Sequence, residues 1–342
     1  MNAIQNLRRL ATLWGDFSKR RAVCRGLPVR LWIETSSLCN LSCPMCVNRD
    51  LPPAEKRNMD MALFTRIIDQ VRTFAHDVNL HHRGEPLINP DFPDMLRHAK
   101  RSGLAVRFHT NAVLMDRALA ARILASGPDL VSISFDGFEK DAYEAIRRGA
   151  CFETTVENIA GLLDERQKQR ARTYIMVERI AFPGLDHAPP PVEARAFEKR
   201  LTCLGVDEIV TKQPFAWPAA GPARPGGSNR SCAFPWYAMV ICADGTVTPC
   251  PQDGRSFMRM GDAGKQSLRD IWNGPAYQNL RMAMSQNAAG LPLCGGCDRL
   301  TRPQAAGLPV QYMVPFLLDM FAGYGPLRRR VGSFERNRRG KK

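Results

Sequence analysis

Residues 34–46 read Glu-Thr-Ser-Ser-Leu-Cys-Asn-Leu-Ser-Cys-Pro-Met-Cys. Cys39, Cys43 and Cys46 therefore stand at C-x3-C-x2-C spacing directly after an apolar, β-prone run from Val29 to Ile33. Three thiolates on one tight loop at the end of a strand constrain this chain more than any other feature. Three ligands from one loop can hold three irons of a cubane and leave the fourth iron open, and an open position invites a substrate. A structural zinc loop is the competing reading of the same residues.

The rest of the composition narrows the setting. At 342 residues the chain has room for one large domain and a smaller one. No apolar run reaches the roughly 18 residues of a membrane span, and no export signal is legible at the N-terminus. Eleven cysteines without an export signal argue for metal ligation in a reducing compartment, hence a cytoplasmic location, rather than for disulfides. The net charge of +15 is concentrated at the ends. Residues 1–30 hold seven Arg/Lys against one Asp, and residues 321–342 hold eight against one Glu, which leaves +2 for residues 31–320. The body is thus no nucleic-acid surface by charge, and the basic ends are the candidate contact with an anionic membrane surface.

Residues 3–21 carry Ile4, Leu7, Leu10, Ala11, Trp14 and Phe17 near one helical face, with arginines and Lys19 around it. Such a helix either packs its stripe on the body or rests on anionic lipid with Trp14 and Phe17 at headgroup level. From Arg30 the pattern alternates. Strands are expected at 30–36, 77–82, 104–109, 130–135, 173–180 and 206–212, with helices at 60–75, 91–102, 115–126, 139–147, 153–170 and 189–203. Six βα units in series imply a parallel sheet with crossover helices and a site at the strand C-termini. The Pro/Gly-rich stretch 213–230 reads as a linker or lid-like loop. Tyr237 to Cys242 and Thr246 to Cys250 flank Asp244-Gly245, a hairpin signal. Short helices around 267–272 and 275–286 precede Cys294-Gly295-Gly296-Cys297. An apolar run from Val314 to Phe321 then leads into a basic end, expected to be disordered beyond about Leu327.

Four motifs in order on these elements resemble the radical S-adenosylmethionine (SAM) superfamily, of the kind with a C-terminal SPASM or twitch extension. The first is Cys39/Cys43/Cys46. The second is Gly84-Glu85-Pro86, similar to the family's Gly-Gly-Glu-Pro segment with Arg83 in place of the first glycine. The third is His109-Thr110-Asn111-Ala112. The fourth runs from Ser132 through Ser134, Asp136 and Gly137 to Arg147. The resemblance implies an α/β fold: a partial (β/α)6 barrel with a small C-terminal iron–sulfur domain. It implies a 4Fe–4S cluster on the three cysteines, whose open iron is chelated by SAM. Gly84, Glu85 and Pro86 would meet the SAM amino group, Asn111, Ser132 and Ser134 would make further contacts, and Arg147 would pair with its carboxylate. Met45 stands where the family often has an aromatic residue.

Cys232, twelve residues, Gly245, four residues and Cys250, with Cys294 and Cys297 later, resemble the opening of the SPASM/twitch pattern. They imply one auxiliary 4Fe–4S cluster. No cysteine follows Cys297, so a second auxiliary cluster is not expected. A four-cysteine zinc ribbon is the alternative. Cys242 is expected to be a core thiol, and Cys24, Cys151 and Cys203 are isolated. His81, His82 and His109 stand at strand ends, where they either line the site or merely end a strand.

The domains expected are a basic amphipathic helix (1–29), the barrel (30–212), a linker with the auxiliary domain (213–302) and a basic tail (303–342). The resemblance implies reductive cleavage of SAM to a 5′-deoxyadenosyl radical that takes hydrogen from a substrate, with flavodoxin or ferredoxin as reductant. The four late cysteines are spaced much as in the radical SAM aminocyclitol dehydrogenase. A sugar, aminocyclitol or glycan oxidised with the auxiliary cluster as electron acceptor is therefore one expectation. Modification of a ribosomal peptide, or a sulfatase-maturase-like reaction, is the other. Residues 1–29 leave no room before the barrel for the winged-helix recognition domain usual in peptide-modifying relatives, which favours the small molecule. A non-catalytic zinc- or iron–sulfur-stabilised binding module is the reading from another class.

Overall fold

The computed structural model describes residues 3–180, 191–212, 232–300, 302–305 and 308–325. The expected linker at 213–230 and the tail beyond Leu327 lie outside the described residues. In chain order the elements are α1 (Ala3–Ser18), β1 (Arg30–Ile33), α2 (Met61–Val71), β2 (Asp77–Asn79), α3 (Phe92–Arg101), β3 (Ala105–Thr110), α4 (Arg117–Ala125), β4 (Leu130–Ser134), α5 (Lys140–Ile146), α6 (Phe152–Lys168), β5 (Tyr174–Ile180), α7 (Pro191–Cys203) and β6 (Glu208–Lys212). There follow α8 (Phe234–Tyr237), β7 (Ala238–Ile241), β8 (Thr246–Thr248), β9 (Gly261–Asp262), α9 (Leu268–Trp272), α10 (Pro275–Asn287), α11 (Pro292–Gly295) and α12 (Val310–Ala322).

Every expected strand and helix of the barrel is present, several of them shorter than the sequence pattern suggested. The sheet runs β6-β5-β4-β3-β2-β1-β7-β8-β9, parallel from β6 through β1 to β7 and antiparallel from β7 to β9. The Asp244-Gly245 hairpin thus extends the barrel sheet, since β7 pairs with β1 (Leu31 opposite Met239). Gly245 makes that turn at a φ of 87°, a conformation costly for any residue with a Cβ.

Strand alternation separates two environments. Leu31, Ile33, Val78, Val106, Phe108, Val131, Ile133, Ile175 and Val177 are fully buried in the main core. The alternate positions line a cavity and are polar or large: Arg30, Trp32, Asn79, His81, Arg107, His109, Ser134, Met176, Glu178 and Lys212. Parallel strands buried on both faces ordinarily read as continuous apolar runs. A polar interior is the sequence consequence of a barrel that holds a ligand rather than a packed centre.

The two ends of the chain close this barrel. The inward stripe of α1 is buried: Leu13 packs with Val29, Phe316 and Met320, and Phe17 stacks edge-on against Trp236 at 5.4 Å. Phe17 is therefore a core residue, as the packed-helix reading expected, but the six residues expected on one face divide: Leu10 and Phe17 turn to the body, while Ile4, Leu7, Ala11 and Trp14 stay exposed. α12 reaches the barrel interior. Asp319 pairs with Arg107 at 3.2 Å and Arg30 at 3.8 Å, and Phe316 lies under the Arg30 guanidinium. The part of the tail before 326 is thus built into the fold. No helix among the described residues is long and apolar enough to cross a membrane.

Candidate functional site

The cysteine loop leaves β1 at Glu34 and is tied down along its length. Ser37 accepts from the Asn48 side chain at 2.7 Å, Asn40 accepts from the Asn111 amide at 2.9 Å, and Ser42 N–H donates to the Arg148 carbonyl at 3.0 Å. Within it, Cys46 N–H donates to the Cys43 carbonyl at 3.0 Å. Cys39, Cys43 and Cys46 face one cavity of about 1190 Å³, together with Gly84, Glu85, Asn111, Ser134 and Arg147.

Gly84 has a steric reason to be glycine. A Cβ there would overlap the Ser36 and Leu38 carbonyl oxygens, so the segment after β2 can press against the cysteine loop only without a side chain. Glu85 N–H then donates to the Leu38 carbonyl at 2.7 Å. The Glu85 carboxylate accepts from the Thr110 hydroxyl (2.7 Å), Asn111 N–H (2.8 Å) and Leu87 N–H (3.2 Å). Burial nevertheless pushes its pKa up to about 7, so those donors do not offset desolvation. A buried carboxylate in that state suits a cationic ligand group. Pro86 is buried in the turn behind it, and Ser132 is buried in β4, where its hydroxyl faces the Glu178 carboxylate. Arg147 pairs with Asp136 at 2.5 Å, and its guanidinium lies within hydrogen-bonding reach of the Cys43 thiol.

Arg83 occupies the position where the family pattern has a glycine, and the structure assigns it a partner. Its guanidinium clamps the fully buried Glu34 carboxylate at 2.7 and 2.6 Å. Arg83 N–H (3.1 Å) and Ala243 N–H (3.0 Å) also donate to Glu34. Burial opposes the Glu34 charge, but the Arg83 hydrogen bonds and charge outweigh it and hold the pKa below the usual range. This pair joins the starts of the cysteine loop and the Glu85 segment to the turn after β7.

In the same cavity the rings of His81 and His109 lie 4.0 Å apart, tilted by 33°. His109 Nδ1 lies 3.8 Å from Glu178, which accepts from Lys212 at 2.6 Å. Burial opposes ionisation of Glu178, but Lys212 and His109 outweigh it and hold the carboxyl at about 2. Burial pushes His82 and His109 down to about 4 each and His81 well below its usual value. All three histidines are neutral in the folded protein at pH 7, and the unfolded chain binds more protons between about 4 and 6.5. The histidine contribution to stability is thus complete above about 6.5 and falls as the pH drops towards 4, by on the order of 3 kcal/mol for His109 alone. Glu85, raised to about 7, opposes it over the same window, but the three histidines outnumber one carboxyl in the net loss. Urea unfolding at pH 7.5 and 5 is expected to show this loss, and His109→Gln is expected to reduce it.

The late cysteines form a second group. Cys232, Cys250, Cys294 and Cys297 line one apolar cavity with Met258, Leu280 and Met284. Phe234, Gln252 and Arg299 line both this cavity and the large one, so a single layer of side chains separates them. Cys242 is buried outside this set, with Sγ 3.6 Å from Ser256 Oγ, in keeping with a core thiol.

The donor chemistry suits iron–sulfur clusters. Burial pushes Cys39 and Cys250 up to about 12 and raises Cys43, Cys46, Cys232 and Cys294, so these thiols ionise only onto a metal that takes up the charge. A single zinc ion with Zn–S of about 2.3 Å draws its tetrahedral thiolates to within about 4 Å of each other. Among the described residues, Glu144, Cys151 and Glu153 are the group whose ligand atoms all lie within 4.8 Å of one another. Cys151 in that exposed group was expected to be isolated; it donates to Glu153 at 3.4 Å.

Comparison with known proteins decides the family. Residues 33–185 match the model of the radical SAM superfamily, and residues 232–298 match that of the SPASM iron-sulfur cluster-binding domain. The chain is a radical SAM/SPASM protein. A radical SAM domain takes a 4Fe–4S cluster and SAM, and a SPASM domain takes auxiliary iron–sulfur clusters. A tungsten-containing aldehyde ferredoxin oxidoreductase cofactor-modifying protein of Pyrococcus furiosus is 34% identical over 31% of this chain, but the match spans only 30% of that relative. Mycofactocin maturase of Mycobacterium ulcerans is 29% identical over 85% of this chain and 86% of its own. The SAM-dependent 2-deoxy-scyllo-inosamine dehydrogenase of Niallia circulans is 23% identical over 79% and 92%. The crystal structure of BtrN in complex with AdoMet and 2-DOIA superposes with a TM-score of 0.53 at 20% identity, covering 80% of this chain and 93% of that one. That likeness establishes the radical SAM fold.

Of the residues named from sequence, Cys39, Cys43, Cys46, Glu85, Asn111, Ser134 and Arg147 line the large cavity together. Sequence reading missed Glu34, whose partner is Arg83, and Glu178 with Lys212. The signal for the latter was a charged residue at the inward positions near the ends of β5 and β6.

Proposed function

We propose that the chain is a SAM-dependent oxidoreductase that dehydrogenates a hydroxyl-bearing small molecule of the sugar, aminocyclitol or glycan class. The observation that carries this reading is the single side-chain layer of Phe234, Gln252 and Arg299 between the two cysteine-lined cavities. An oxidation that removes hydrogen at one end of the large cavity has an electron acceptor within reach at the other. Cys39, Cys43 and Cys46 would hold the SAM-binding cluster, and Cys232, Cys250, Cys294 and Cys297 the auxiliary one. Glu85 would receive the SAM ammonium, in company with Gly84 and Pro86, and the Arg147 guanidinium its carboxylate. Asn111, Ser132 and Ser134 would orient the rest of SAM. When bound, cluster and SAM supply one electron and a radical able to abstract hydrogen from carbon. The chain's own residues exclude water and orient substrate. The polar wall of His81, His109, Glu178 and Lys212 offers both donors and acceptors, which suits a polyol.

The test uses reconstituted protein with dithionite, SAM and 2-deoxy-scyllo-inosamine deuterated at its ring carbons. Deuterium in 5′-deoxyadenosine with a ketone product supports the reading; 5′-deoxyadenosine free of deuterium from this and other polyols would sink it. The likeness to mycofactocin maturase over most of both chains favours a second reading, modification of a ribosomal peptide, for which a deuterated peptide is the corresponding probe. The alanine pair Cys294→Ala and Cys297→Ala separates the two cluster roles. It is expected to lose about half of roughly eight irons yet keep reductive SAM cleavage, and to lose ketone formation.

A further inference from the structure

α1 and α12 both lie outside the two regions that match family models, and they meet on one side of the barrel. Leu13 and Leu10 of α1 pack with Phe316 and Met320 of α12. Helical geometry decides what remains on the outside. On α1 the buried stripe is Asn6, Leu13 and Phe17 with Leu10, while Ile4, Leu7, Ala11 and Trp14 recur at the same three- and four-residue spacing on the exposed face. Ile4, Leu7 and Trp14 are 60%, 56% and 50% exposed, and Leu317 and Phe321 of α12 are 38% and 41% exposed. A helix with one face on its own protein ordinarily turns polar residues outwards. Here the outward stripe is apolar, with exposed Arg8, Lys19 and Arg20 beside it.

We propose that this α1–α12 face binds the surface of an anionic phospholipid bilayer. Its large apolar side chains would enter the headgroup–acyl boundary, and its cations would meet lipid phosphates. Two observations favour lipid over the other occupants. Residues 3–25 carry six Arg/Lys against one Asp, so a second copy docking on this face would bring like charge against like. An acidic protein would satisfy the cations but leaves the aliphatic and indole stripe unexplained, whereas an interfacial helix needs both features. Trp14 is also the residue type that prefers this boundary. α12 faces both ways: Phe316 and Asp319 line the cavity while Leu317 and Phe321 point outwards. The bilayer would therefore lie about one helix diameter from the substrate cavity, a distance short enough to serve a membrane-borne substrate. The docking proposal is independent of the reaction assigned above.

Flotation of the full-length, cluster-reconstituted protein tests it, with phosphatidylcholine vesicles containing about 30% phosphatidylglycerol against pure phosphatidylcholine. Binding to the anionic vesicles is expected to be at least about tenfold tighter and to weaken about tenfold in high salt. The variant Leu7→Ser, Trp14→Ser, Phe321→Ser is expected to lose about tenfold or more, with an unchanged circular dichroism spectrum, because these residues are exposed. Absence of binding by the wild type would overturn the proposal. So would equal flotation of wild type and variant, or a wild-type dimer that the variant makes monomeric without any vesicle binding.

Discussion

Changing Cys39, Cys43 and Cys46 together to alanine is expected to abolish reductive cleavage of SAM and to halve the iron content of the reconstituted protein, from about eight irons to about four. The structure makes the loss local. The loop is held by Ser37, Asn40 and Ser42 through contacts that involve no thiol, so its backbone has reason to survive the substitution. The auxiliary cysteines sit in a separate cavity and keep their own cluster. The measurement is iron per chain, absorbance near 400 nm and 5′-deoxyadenosine under dithionite. Persistent SAM cleavage in this variant would show that another site carries the chemistry, and bound zinc in place of colour in the wild type would leave only the structural reading.

Restoring the family's glycine by Arg83→Gly is expected to destabilise the protein by about 3–5 kcal/mol, because it leaves the Glu34 carboxylate buried without its counter-charge. The melting temperature should fall by on the order of 10 °C. Two backbone donors, N–H of residue 83 and of Ala243, remain and do not replace a charged fork. Adding Glu34→Gln to Arg83→Gly removes the stranded charge and is expected to recover part of the loss. A single variant as stable as the wild type would mean that water reaches Glu34 and the pair does not hold the ends of β1, β2 and β7 together.

Arg83 illustrates how sequence and structure divide the information. By pattern it is a departure from a motif, and nothing within several residues of it says what it binds. Its partner Glu34 stands 49 positions away, and the third contributor, Ala243, 209 positions away from Glu34. Such pairings arise only when β2 and β7 flank β1, a consequence of sheet order rather than of local pattern. The His81–His109 ring contact has the same origin, since adjacent strands set two inward positions side by side. By contrast, the six βα units were legible because each strand buries its outward residues under a helix of matching period, a short-range requirement.

The N-terminal helix marks the boundary between the two kinds of knowledge. Its apolar positions showed that a helix would form, but grouping Ile4, Leu7, Leu10, Ala11, Trp14 and Phe17 on one face merged two adjacent stripes of the 3.6-residue turn. Packing of Phe17 against Trp236 and of Leu13 against Phe316 chose the stripe, and so decided that Ile4, Leu7 and Trp14 would face outwards. The sequence by itself determined the cysteine spacing, the βα alternation and hence the family, since these are set by neighbours along the chain. Only the tertiary structure decided the interior wall, the Glu34–Arg83 clamp, the thin partition between the two cysteine cavities and the closing role of α12. Each of those depends on residues dozens to hundreds of positions apart whose charges and shapes meet only after the sheet has closed.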